Sequence, residues 1–322
     1  MTPFTRRNFL QNAVTGAAGS TAFSNSMFGI SSWLAQTNRP DVRFSTEPRE
    51  RIAVASYPFR EFIAGKQDAK TTTPSKMPLK DFAAHVSAKF NVRKIEPWSE
   101  HFLSLEPSYL DDVHNAAAKA GSSFANIAAD GGNSLYSSDA AERQRAIQFG
   151  KTWVAAAARL GSPSVRINIA ASKGANAKPD PALVAEGLKP IADDAASKNV
   201  VVHLENDNPV SEDPFFIVSV IDRVKSPWLH ALPDFGNSLA ALPAEDAYRG
   251  LDQMFAHAYA ISHVKETITT RSNAVAHVDL ARSFSLAAKH GYKGNFSMEF
   301  DSEGDPYEGT AKLIAATIKN LS

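Results

Sequence analysis

The chain has 322 residues, 43% of them hydrophobic, with 34 basic and 34 acidic side chains and no cysteine. Balanced charge without a block of like sign excludes a nucleic-acid footprint and a polybasic membrane patch. The absence of cysteine excludes disulfides, zinc–thiolate sites and a thiol nucleophile, so any metal must be held by nitrogen and oxygen.

At the N-terminus, "TRRNFL" (Thr5 to Leu10) sets two arginines ahead of Asn-Phe-Leu, and an uncharged Ala/Gly/Ser-rich stretch continues to about Ala35. Residues 1–35 resemble a twin-arginine export signal, an address read by a receptor rather than a fold element. The resemblance implies the twin-arginine export machinery as a partner and a periplasmic or otherwise exported protein. Because that route carries folded proteins, often with a cofactor bound, it suits a metalloenzyme. Asn12, Ser20, Ser24 and Asn25 interrupt the apolar runs and argue against a stable membrane span. Cleavage after Ser24 and cleavage near Ala35 both stay open. Without residues 1–35, which hold Arg6 and Arg7 and no acid, the balance is 34 − 2 = 32 basic against 34 acidic.

A polar linker over 36–50 leads into alternating strand-like and helix-like stretches. The predicted strands are "RIAVASY" (51–57), "RKIEPW" (93–98), "SSFANIA" (122–128), "PSVRINIA" (163–170), "VVVHLE" (200–205), "LHALPDF" (229–235), "AISHVKE" (260–266) and "NFSMEF" (295–300). Between them, apolar residues recur with helical period, most clearly over 79–90, 142–160, 180–198 and 312–321. Turn chemistry such as "RLGSPS", "AAKAGSS" and "AKHGYKG" joins helix to strand. Eight βα units of roughly 30 residues each predict one closed (β/α)8 barrel, an α/β fold over 51–322. An open doubly wound sheet would bring a glycine-rich loop after its first strand, and "ASYPFREF" is not one.

In such a barrel the active site lies at the C-terminal ends of the strands. Strand five ends at Glu205, strand six at Asp234, strand seven at His263 and strand eight at Glu299. A lone strand-end Glu is more often a loop cap, a lone His structural, and an Asp before Phe-Gly-Asn an Asx turn. Four on consecutive strands are hard to explain as independent accidents. They predict one divalent ion, and three carboxylates with an imidazole suit Mn, Co, Mg or Zn alike. Glu96 and Trp98 end strand two, where a carboxylate and an indole suit sugar hydroxyls and stacking; a structural Trp beside a solvated Glu is the alternative. His101 shares their loop. Arg166 and Asn168 face one side of strand four, and an inward Arg needs an acid, for which Glu205 and Glu96 are candidates. Tyr57 and Phe59 suit a pocket wall or core packing equally.

"LEN" on strand five, "DFGN" on six, "HVKE" on seven and "MEF…EGDPYEG" on eight resemble the xylose-isomerase-like sugar phosphate isomerases and epimerases, over about Arg51 to Ser322. The resemblance implies that Glu205, Asp234, His263 and Glu299 bind the metal, and that Glu205 and Glu299 also serve as an acid–base pair on opposite faces of a sugar. Lys265 and Glu266 match a Lys–acid pair of the family. Asn237 stands where ketose epimerases often carry a substrate-binding His, and Thr269 where they usually carry Arg, with Arg271 two further on. The expected substrate-binding residues are therefore Glu96, Trp98, His101, Arg166, Asn237 and Lys265.

The expected function is an exported, divalent-metal-dependent sugar isomerase or epimerase acting on a keto-sugar or related polyol through an enediolate. A metal-dependent lyase or dehydratase on an oxidised sugar, a 3-keto-glycoside or an inosose, starts with the same proton abstraction. A sugar-binding barrel without catalysis is the third reading. An apurinic-site endonuclease fits poorly, since it needs three metals, more His ligands and a basic groove. No nucleic-acid partner is expected, and homo-oligomerisation is left open.

Overall fold

The structure, a computed structural model, describes residues 39–322 except 67, 69–75, 173–177, 208–210 and 212. The export signal over 1–35 and the first linker residues lie outside the described residues. Short, apolar, β-branched runs form the buried strands: β1 (Ile52–Ala55), β2 (Lys94–Glu96), β3 (Ser123–Phe124), β4 (Ala128–Ala129), β5 (Ser164–Ile167), β6 (Val201–Glu205), β7 (Leu229–Leu232) and β8 (Ile261–Val264). A hairpin, β9 (Thr267–Thr269) and β10 (Val275–His277), precedes the last strand, β11 (Asn295–Met298). Helices of ten residues or more alternate with them: α1 (Leu79–Phe90), α2 (Pro107–Lys119), α3 (Ala140–Leu160), α4 (Pro181–Lys198), α5 (Pro214–Val224), α6 (Ala244–Ala256), α7 (Leu280–Lys289) and α8 (Pro306–Leu321). None of the described helices is long and apolar enough to cross a membrane.

The strands form two parallel runs, β3-β2-β1-β11-β8 and β4-β5-β6-β7. Two seams join them into a barrel. At one, Ala128 N donates to Pro97 O at 3.0 Å, beside a Trp98–Ala128 bridge. At the other, His263 N donates to Pro233 O at 3.0 Å and Phe235 N to His263 O at 3.2 Å. The third strand, expected as one run, is broken over 125–127. There the buried Asn126 aims its amide at Glu96, which a continuous ladder would not require.

Aspartates start five of these helices. Asp139, Asp180, Asp213, Asp279 and Asp305 each accept a first-turn backbone N–H, satisfying a donor that has no partner within the helix. That capping starts α3 at Ala140 and α8 at Pro306, earlier than periodicity alone predicts. Helix α3 stops at Gly161, whose φ of 72° is left-handed and suits a residue without Cβ.

Most apolar burial lies between strands and helices, around Phe82, Trp153, Leu188 and Phe296. Inside the barrel a small separate cluster of Ala53, Ala125, Leu232 and Ile261 sits among buried polar groups. Residues 39–50, expected as linker, pack on the N-terminal ends of the strands. Tyr259 Oη donates to Pro40 O at 2.9 Å and its ring meets Phe44 edge-on.

Candidate metal centre and its cavity

A cavity of about 390 Å³ opens at the C-terminal ends of the strands. Side chains alternate along a strand, so the residues that end β2, β5, β6 and β8 with the parity of the interior face into it. Its wall carries Glu96, Asp130, Glu205, Asp207, Glu299 and Asp301 against Arg166 and Lys265. Trp98 and Tyr57 meet edge-on, 5.2 Å apart, at one side, and Ile268 and Thr269 of the hairpin line another.

At the floor the structure brings Glu205, Asp234, His263 and Glu299 together, with one potential ligand atom from each lying within 4.8 Å of all the others. His263 Nδ1 lies 2.8 Å from Glu205 Oε1, 3.4 Å from Glu299 Oε2 and 3.9 Å from Asp234 Oδ2. Asp234 makes the Asx turn as well: its Oδ1 accepts from Gly236 N at 2.8 Å and Asn237 N at 2.7 Å. Its Oδ2 is buried without a hydrogen bond. Asn206 steadies the same turn, accepting from Asp234 N at 2.8 Å and donating to Asp234 O at 3.0 Å.

These residues fit a divalent cation. A buried carboxylate oxygen without a hydrogen bond is costly, and the carboxylates around the cavity outnumber its cations. Hard oxygen donors with one imidazole are a ligand set for Mg, Mn or Zn. The electrostatics show the competition among the charges of the cluster. Burial pushes Asp234 up to about 6, against the pull of Lys265. Burial also raises Glu205, which His263 and Arg166 only partly offset. Glu299 is buried too, yet His263 and Lys265 hold it well below the usual carboxylate range. His263 goes the other way from its burial, because Glu299, Glu96 and Glu205 together raise it well above an ordinary histidine.

Above the floor, the polar wall residues are tied to one another in a chain. Trp98 Nε1 donates to Asp130 Oδ2 at 2.6 Å, and Arg166 pairs with Asp130 Oδ1. Arg166 Nε lies 3.0 Å from Glu205 Oε2, an ion pair without hydrogen-bond alignment. Asn237 Nδ2 donates to Glu205 Oε1 at 3.2 Å, and Lys265 Nζ to Asn237 Oδ1 at 2.9 Å. Lys265 Nζ also lies 2.9 Å from Glu299 Oε2 and 3.3 Å from Asp234 Oδ2. Burial works against its charge, but Asp234 and Glu299 hold it well above an ordinary lysine.

Of the residues expected to hold sugar, Trp98, Arg166, Asn237, Lys265 and Glu96 line the cavity. Glu96 is committed elsewhere, however, for both of its oxygens lie 3.0 Å from His263 Nε2. His101 does not line this cavity; its ring meets Trp98 edge-on at 5.4 Å, its Nδ1 lies 2.8 Å from Ser56 Oγ, and burial lowers it to about 4. Of the aromatic pair after strand one, Tyr57 lines the cavity and Phe59 packs in the core. Arg166 does pair with Glu205, as one of the two expected acids. Its other partner, Asp130, was not anticipated. The signal was there in "AADGG", an acid directly after the third strand.

A family model described as "Xylose isomerase-like TIM barrel" matches residues 84–321. A search of curated proteins finds no match. Among solved structures, a xylose isomerase-like TIM barrel protein from Mycobacterium smegmatis in complex with magnesium is 18% identical, with TM-score 0.63 over 87% of this chain and 100% of that one. A D-allulose 3-epimerase from Methylomonas sp. in complex with D-allulose is 13% identical, with TM-score 0.64 over 86% of this chain and 97% of that one. A 3-keto-D-glucoside 4-epimerase from E. coli is 12% identical, with TM-score 0.61 over 83% of this chain and 98% of that one. At these identities the structures speak to fold alone, and they share the closed barrel described here. With the family model matched along all but the first strand of that barrel, the chain belongs to the xylose isomerase-like TIM barrel family.

Proposed function

We propose that this protein is an exported, divalent-metal-dependent isomerase or epimerase of an uncharged keto-sugar, working through an enediolate. The observation that carries the reading is the buried Glu205–Asp234–His263–Glu299 cluster at the floor of a polar cavity. Similar folds among epimerases of D-allulose and of a keto-glucoside, and one solved with magnesium, support the same kind of chemistry. A cation held by these four residues would polarise a carbonyl and so acidify the neighbouring C–H. The chain's own residues do the rest. A carboxylate from Glu205 or Glu299 takes the proton from the carbon beside the carbonyl, and the other returns one to the opposite face. Lys265 and Arg166 hold these carboxylates in place from the side. The Tyr57–Trp98 corner offers a ring surface for the apolar face of a sugar. Six carboxylates in the wall oppose a phosphorylated substrate, whose charge they would repel.

Glu299→Gln keeps an oxygen donor and the shape of the side chain but cannot act as a base. It should lose roughly 10²–10⁴-fold in turnover while some metal is retained. Incubating a panel of keto-sugars with the protein in heavy water tests this without knowing the product, since an isomerase or epimerase leaves deuterium in the recovered sugar. Full turnover of a confirmed substrate by both Glu299→Gln and Glu205→Gln would reduce these residues to ligands only. Release of a second molecule would assign a lyase instead.

A further inference from the structure

Below the ligand cluster, a run of buried polar side chains crosses the barrel interior and ends on His263. Ser164 Oγ lies 2.7 Å from Asn126 Oδ1, and Asn126 Nδ2 donates to Glu96 Oε1 at 2.7 Å. Both Glu96 oxygens lie 3.0 Å from His263 Nε2. None of the four residues is more than 1% exposed.

Chemistry fixes the direction of this run. Turning the Asn126 amide over would put its carbonyl oxygen 2.7 Å from a carboxylate oxygen, two acceptors in contact. The amide NH2 therefore faces Glu96, and the Ser164 hydroxyl has the Asn126 carbonyl at 2.7 Å as the shorter of its two acceptors, Ala125 O lying at 3.1 Å. A carboxylate that accepts on this side can only accept from His263 on the other, so the hydrogen sits on Nε2. The Nδ1 edge of the ring then faces Glu205, Asp234 and Glu299, the three carboxylates of the cluster.

We propose that Glu96, aimed by Asn126 and Ser164, is a positioning residue that holds His263 with hydrogen on Nε2 and Nδ1 directed at the ligand set, and so sets the affinity of the centre for a divalent cation. The inference rests on the metal reading of the cluster given above. Glu96 acts through His263 and not on substrate, because its oxygens are taken up by the His263 ring and the Asn126 amide, with the buried Ser297 also beside them. A carboxylate that orients a ligating histidine typically contributes roughly 10–100-fold to metal affinity.

The test is calorimetric titration of the purified, metal-stripped full chain with Mn²⁺. In Glu96→Gln the introduced amide either faces its NH2 at the NH2 of Asn126 or turns that NH2 onto His263 Nε2, which moves the imidazole hydrogen to Nδ1. In both arrangements the Kd for Mn²⁺ should rise roughly 10–100-fold. Adding Asn126→Asp supplies an acceptor for the glutamine NH2 and returns its carbonyl to His263, so the double variant should regain most of the lost affinity. A residue serving packing alone would show no such recovery, because the second change repairs donor–acceptor order and not volume. Asn126→Ala leaves the carboxylate in place but unaimed; a smaller rise in Kd is expected, and it serves if Glu96→Gln does not fold. If the wild type binds one Mn²⁺ per chain and both single variants match its Kd, the inference is overturned and the metal reading stands. A rise without recovery in the double variant also overturns it and assigns Glu96 to packing. A wild type that takes up no Mn²⁺ overturns both readings together.

Discussion

Asp234 and His263 both bind protons more tightly than free side chains do, in competition with a cation. Asp234 is raised by burial to about 6 from an unfolded value of 3.8, and His263 is raised well above 6.5, despite its burial, by Glu299, Glu96 and Glu205. Binding a divalent ion requires the ionised carboxylate and a bare Nδ1, so protons leave as the ion enters. Mn²⁺ affinity should therefore fall with pH, already above 6.5 through His263 and more steeply below about 6 as Asp234 is protonated, with uptake heats at pH 6 that change between buffers of different ionisation enthalpy. The stability sign for Asp234 follows the same shift. A carboxyl raised in the folded state binds its proton more tightly there, so its contribution to metal-free stability declines as pH rises from 3.8 to about 6. Affinity independent of pH between 5 and 8 would show that neither Asp234 nor His263 gives up a proton to the ion. The four cluster residues were legible in the sequence because each ends a strand, and strand ends of a parallel barrel share one rim. The use made of Glu96 was not, since its partner His263 is 167 positions away and only the closed barrel sets them side by side. Nor was the place of His101, which meets Trp98 edge-on but turns its Nδ1 to Ser56.

Helices were easier to read than strands at the level of elements. Their periodicity extends over many residues, and the missing first turns of α3 and α8 are explained by caps that act locally. The third strand misled because "SSFANIA" is apolar enough for one continuous run, while the demand of Glu96 for a donor from Asn126 arises only in three dimensions. The hairpin after β8 escaped notice because "TITTRSNAVAH" shows no clean alternation. It turns through Asn273, whose φ of 61° is left-handed. A cap offers the clearest test at this scale. Asp180 accepts from Ala182 N at 2.8 Å at the start of α4, on the exposed side of the barrel. Asp180→Ala should cost about 1 kcal/mol, lowering the melting temperature by about 2–4 °C in a domain of this size, with Mn²⁺ affinity unchanged. A larger loss, or one that reaches the metal centre, would show that α4 does more than cover its strand.

For the whole molecule, the export reading and the barrel can be tested separately. The described fold makes its first long-range contact at Pro40, on Tyr259, and both cleavage points considered, Ser24 and Ala35, precede it. Processing at either would spare the contacts of residues 40–50 with the N-terminal ends of the strands. Replacing Arg6 and Arg7 by Lys should leave the full-length precursor in the cytoplasm on cell fractionation, and unaltered delivery to the periplasm would reject a twin-arginine signal. The barrel also sorts its indole rings by position. Trp153 and Trp228 are 2% and 3% exposed, whereas Trp98 lines the cavity with its N–H on Asp130 at 2.6 Å. Excited near 295 nm, the described barrel would thus carry two steady lamps in its core and one in the wall of the cavity, whose colour and brightness follow whatever disturbs the carboxylate beside it.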